Sequence, residues 1–103
     1  MKIELLYFSG CPTFKNAEEV LAEVMKELGI DEPIEKIDVQ SQEEAVERKF
    51  LGSPTIRING LDVDRNARTA TDYALKCRVY QTSEGLLGWP NKKMVLEAFK
   101  EAM

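Results

Sequence analysis

Apolar positions along this chain fall into two kinds of pattern, short runs with strand character and longer stretches with helical spacing. Ile3-Glu4-Leu5-Leu6-Tyr7-Phe8 predicts a buried strand within residues 2–8, ended by the turn pair Ser9-Gly10. A helix follows from Pro12, a residue suited to a first helical turn because its missing N–H is not needed there. Its stripe is Phe14, Ala17, Leu21, Val24 and Leu28, with Val20 and Met25 alongside and Gly29 as the C-cap. Pro33 opens a second strand in which Ile37 and Val39 alternate with Asp38 and Gln40. Ser41 and Glu44 form a capping box, so a second helix is expected over 42–50, stopped by Gly52-Ser53-Pro54. Thr55-Ile56-Arg57-Ile58 alternates as a strand, Asn59-Gly60 is a hairpin turn, and Leu61-Asp62-Val63 pairs back.

Residues 65–89 carry two competing patterns. Ala70, Tyr73, Ala74, Cys77 and Tyr80 fit a helix, whereas Leu75, Cys77 and Val79 alternate like a strand; the expectation is helix or irregular structure. Gly85, Gly88, Trp89 and Pro90 mark a loop, and a last helix from about Pro90 to Ala102 turns Val95, Leu96 and Phe99 inward. Strand, helix, strand, helix, hairpin, helix is the order of a mixed α/β sandwich, and 103 residues suit one domain over 1–103.

Composition narrows the classes of function. A hydrophobic fraction of 44% with 31% charged residues is that of a globular chain. The formal net charge is −4 and no basic run stands out, so nucleic acid is not an expected partner. Glu4 interrupts any signal-like apolar stretch, and no apolar run approaches the roughly 20 residues of a membrane span, so a cytoplasmic protein without membrane contact is expected. Two cysteines, Cys11 and Cys77, are too few to staple a secreted mini-protein and read as reduced or reactive thiols. The absence of histidine excludes a Cys–His hydrolase. Nothing calls for a cofactor or a resident metal; Asp62 and Asp64 read as solvated acids, and Arg65, Arg68, Lys76 and Arg78 as a solvated face, with attraction of an acidic small thiol as the alternative.

The candidate chemistry gathers at Ser9-Gly10-Cys11-Pro12-Thr13-Phe14, a turn that opens the first helix. A thiol there meets unpaired backbone N–H groups and the positive end of the helix dipole, which favour the nucleophilic thiolate. Together with Gly52-Ser53-Pro54-Thr55 ahead of an Asn-Gly hairpin, this arrangement resembles the thioredoxin/glutaredoxin superfamily over nearly the whole chain, apart from an expanded segment at 65–89. The resemblance implies a four-stranded mixed sheet, a strand–helix–strand unit followed by strand–strand–helix, with helices on both faces. It implies Cys11 as the reactive thiol and Pro54 as a cis-proline facing it, and it brings residues 65–89 back over the end that carries Cys11. Pro12, Thr13, Ser53, Pro54 and Thr55 are then the candidate substrate-binding residues, with the backbone of Ser53 offering a strand-like surface to an extended peptide or a small thiol. The chain also resembles small bacterial and archaeal thioredoxin-like proteins with a Cys-Pro motif.

One departure matters. Phe14 stands where a Cys-x-x-Cys motif would place its second thiol, so ordinary dithiol chemistry is in question and Cys77 or an external thiol is left as the resolving group. The alternative for Cys77 is a core side chain beside Leu75 and Val79. The expected function is a thiol redox protein acting on a protein disulfide or a low-molecular-weight thiol substrate. A soft-metal or iron–sulfur binding module, and an adaptor that keeps the fold without catalysis, are the other readings.

Overall fold

The computed structural model describes residues 1–103. Its elements run β1 (Ile3–Tyr7), α1 (Phe14–Leu28), β2 (Ile34–Asp38), α2 (Gln42–Glu47), β3 (Thr55–Ile58), β4 (Leu61–Asp62), a 3-10 turn at Arg65–Ala67, β5 (Tyr80–Thr82), β6 (Gly85–Leu87) and α3 (Lys92–Ala102). Four strands form a mixed sheet in the order β2-β1-β3-β4, and β5-β6 is a separate hairpin. β1 pairs parallel with β2 and antiparallel with β3, with Leu6 opposite Thr55.

Alternation along β1 divides the core. Ile3 and Leu5 face α1 and α3, joining Ala17, Leu21, Val24, Ile56, Val95 and Phe99 in one cluster. Leu6 faces the other way and packs with Ile37, Val39, Ala45 and Phe50 beneath α2. Helices therefore cover both faces of the sheet, an α/β architecture consistent with a thioredoxin-like fold.

One end of the second helix differs from the expectation. The second helix ends at Glu47 rather than 50, because Lys49 takes a left-handed conformation (φ 55) and Phe50 N–H bonds back to Ala45 at 2.8 Å. This is a Schellman-type close without glycine, held by the fully buried Phe50, so no turn residue announces it. At the other end Ser41 Oγ accepts from Glu44 N–H as the capping box requires, but the Glu44 side chain reaches Gln40 N–H instead of the cap residue.

The larger correction concerns 65–89. No α-helix forms there; a 3-10 turn, an irregular run and the β5–β6 hairpin do. The alternation of Leu75, Cys77 and Val79 is real but faces outward, with Val79 65% exposed. Arg78 and Tyr80 point inward instead, because a buried acid waits for the guanidinium.

Candidate functional site

That acid is Asp62, on the edge strand β4. Arg78 donates to both of its carboxylate oxygens, at 2.8 and 3.0 Å, and to Thr55 Oγ1 at 3.0 Å. Thr55 in turn donates to Gly52 O at 2.6 Å. The guanidinium also lies 4.2 Å from the centre of the Tyr80 ring, whose hydroxyl donates to Pro54 O. Asp62 and Arg78 are thus neither a solvated acid nor part of a solvated face, but the buried centre of a polar network. Burial by itself lowers the affinity of Arg78 for its proton; Tyr80, Asp62 and Asp64 reverse that, and the group stays charged. Burial pushes the Tyr80 hydroxyl well above its ordinary range.

This network fastens residues 76–78 to the chain just before β3. Ser53 N–H donates to Lys76 O at 2.8 Å and Arg78 N–H donates to Ser53 O at 3.0 Å, so Cys77 straddles Ser53 as a parallel bridge partner. The Ser53–Pro54 peptide bond is cis. Gly52 makes the approach possible: its φ is +128°, and a Cβ there would lie 2.9 Å from Arg78 Cβ and 3.1 Å from Lys76 O.

Cys11 stands at the same end of the sheet. The register of Leu6 with Thr55 sets the end of β1, from which the turn to Cys11 leaves, beside the start of β3 and Pro54. Cys11 N–H closes the turn onto Phe8 O at 3.2 Å, with Gly10 at φ 90. α1 begins at Phe14 with Thr13 as its N-cap, two residues beyond the thiol. No side chain caps this helix and no acid occupies its first turn, so its positive end is left uncompensated beside Lys15. The Thr13 hydroxyl is turned to the thiol, with Oγ1 3.6 Å from Cys11 Sγ. Phe14 is partly buried against the α1–α3 core, its ring centre 4.3 Å from that of Tyr7 and tilted to it by 40°. The returning chain touches the site again at Gly88, where a Cβ would come within 2.9 Å of Thr13 Cγ2.

The candidate residues therefore separate by exposure. Cys11 and Thr13 are half-buried, and Pro12 and Cys77 are exposed; both thiols are free. Cys77 is not the core side chain that its apolar neighbours suggested; it lines a cleft of about 330 Å³ with Leu51, Asp72, Lys76 and Val79. Ser53, Pro54 and Thr55 are buried, and the two backbone groups of Ser53 are already paired within the chain, so Ser53 does not present the open strand-like surface expected of it. The Ser53 hydroxyl is buried without a hydrogen-bond partner. No three potential ligands among Cys, Asp and Glu come together as a metal-binding group. No helix is long and apolar enough to cross a membrane. The pairing of Arg78 with Asp62 was beyond sequence reasoning, since an Arg–Asp contact across sixteen positions leaves no local pattern.

Comparison with known proteins bears on the family. A curated protein of Methanothermobacter marburgensis described as a probable thioredoxin is 37% identical over 62 residues, which cover 59% of this chain and 73% of the relative. The chain belongs to the thioredoxin-like family. No family model matches it, and no solved structure gives a significant match. Within a thioredoxin-like chain the strap at 76–78, fastened by Arg78, is the feature that sets the surroundings of the proposed reactive end.

Proposed function

We propose that this protein is a thiol redox protein in which Cys11 is the nucleophile and Cys77 or an external thiol resolves the intermediate. The observation that carries the reading is the placement of a half-buried thiol ahead of an uncapped, acid-free helix N-terminus, at the sheet end that also holds Pro54 and the second thiol. The thioredoxin name of the relative supports a thiol redox role in general.

In the first step the Cys11 thiolate attacks one sulfur of a disulfide R–S–S–R. The Cys11–S–R bond forms, the old S–S bond breaks, and the departing R–S⁻ takes a proton from solvent. A second thiolate, from Cys77 or from an external thiol, then attacks Cys11 Sγ and releases the second R–SH. Cys11 is left in a disulfide with Cys77 or with the external thiol, and a dithiol reductant returns the starting state while it is itself oxidised to a cyclic disulfide. The Thr13 hydroxyl is placed to hold the Cys11 sulfur during this exchange. The exchange is assigned to the cytoplasm, where dithiol reductants are available.

Turnover of bis(2-hydroxyethyl) disulfide with dithiothreitol as reductant tests this directly. Wild-type protein is expected to turn over, Cys11→Ser to be inactive, and mass spectrometry to trap a mixed disulfide on Cys11 in Cys77→Ser. Equal rates for wild type and Cys11→Ser would refute the assignment.

A further inference from the structure

The two thiols can be approached from solution, but the backbone of Ser53 cannot. An extended peptide docks beside a reactive thiol by adding a strand, and this needs a free N–H and C=O on the receiving residue. Ser53 is the residue placed to receive it, and both its groups are already taken by Lys76 and Arg78. The occupant is not a loosely lying loop. Arg78 is 7% exposed and is held by Asp62 and Thr55, while Tyr80, two residues on, is fixed to Pro54 O. A peptide would have to displace a strand whose removal strands a buried carboxylate.

Other parts of the chain restrict the end further. Gly88 closes onto Thr13 at a distance that leaves no space for a methyl group. The cleft lined by Cys77 holds about 330 Å³, at the small end of ligand pockets. Cys11 itself remains half-exposed, which is access enough for a small molecule.

We infer that the strap Lys76–Arg78 acts as a built-in strand that pre-empts peptide docking at Ser53, so that the site takes low-molecular-weight disulfides and not protein disulfides. Cys77, rather than a cysteine of a bound peptide, then occupies the position opposite Ser53. Arg78 is a specificity-determining residue that acts through the strap it holds. This inference rests on the redox reading above.

The test compares kcat/KM for bis(2-hydroxyethyl) disulfide and for insulin, with dithiothreitol as reductant and Cys11→Ser as background. Wild type is expected to turn over the small disulfide and to leave insulin at the Cys11→Ser background. In Arg78→Met the ratio of insulin to small-disulfide efficiency is expected to rise by about tenfold or more, the scale on which a binding contact discriminates substrates. Wild-type protein supplies a second measurement that does not depend on the variant folding: the Ser53 and Arg78 amide signals, followed by NMR during titration with an extended peptide bearing a cysteine mixed disulfide. Both amides should remain protected and unshifted. Insulin turned over by wild type as efficiently as the small disulfide, or loss of protection at these amides on peptide addition, would overturn the inference while leaving the redox reading standing. Absence of any Cys11-dependent turnover overturns both.

Discussion

Arg78 grips Asp62 through both carboxylate oxygens, at 2.8 and 3.0 Å, with each side chain less than a tenth exposed. The pair joins the segment that carries Cys77 to the edge strand β4. Removing one charge leaves the other buried, which typically costs about 3–5 kcal/mol. Arg78→Met and Asp62→Leu are each expected to fall in that range by urea denaturation. The double substitution removes both charges and should cost clearly less than the sum, a coupling that a double-mutant cycle measures.

Gly52→Ala is expected to destabilise by about 3 kcal/mol, since it combines an unfavourable backbone conformation with overpacking. The added methyl meets Arg78 Cβ and Lys76 O, so the strap should yield first. Faster hydrogen exchange at Ser53 and Arg78 than at the amides of β1 would report that order.

Ser53→Ala should go the other way. Its hydroxyl is buried with no partner, and such a group costs about 1–3 kcal/mol. A gain of about 1 kcal/mol, or roughly 4 °C or more in Tm for a domain of this size, is expected. A loss of stability would show that the hydroxyl has a partner in solution.

Acid stability carries a further signature. The hydrogen bond from Arg68 holds the Glu101 carboxyl below its usual 4.5, and the bond from the Gln40 backbone, helped by Arg48, does the same for Glu44. Their folded-state values lie below the unfolded ones, so the stabilisation is present above about pH 4.5 and is lost as pH falls through the lower folded values. Glu101→Gln should lower the urea midpoint at neutral pH and leave a shallower decline below pH 4.5. A parallel acid limb in the variant would dismiss the pair as a contributor.

Much of this architecture can be read in local patterns. Ile3 and Leu5, the Ala17–Leu21–Val24 stripe, the Ser41 cap and the Asn59-Gly60 turn each satisfy a rule that operates over a few residues. The positions of Cys11 and Pro54 follow from such elements, because a strand end and a hairpin start place them. The strap does not. Val79 is apolar and exposed while Arg78 is charged and buried, an inversion that only the partner on β4 makes stable. Lys49 in a left-handed turn is the same lesson at smaller scale, since the anchor that excuses it is the buried Phe50.

The sheet divides its apolar side chains unequally, with twelve buried residues in the α1–α3 cluster and five in the cluster beneath α2. Cooperative opening follows the number of buried contacts that must be broken, so the α2 side has the lower local unfolding free energy. Residues 73–75 are tied to that side, through Tyr73 O and Leu75 N–H to Gln42 and through Ala74 N–H to Phe50 O. Cys11 leads into a helix of the larger cluster, whereas the chain that leads to Cys77 is tied at residues 73–75 to the smaller one. A change at α2 or its anchors therefore reaches the chain leading to Cys77 before it reaches the helix that follows Cys11.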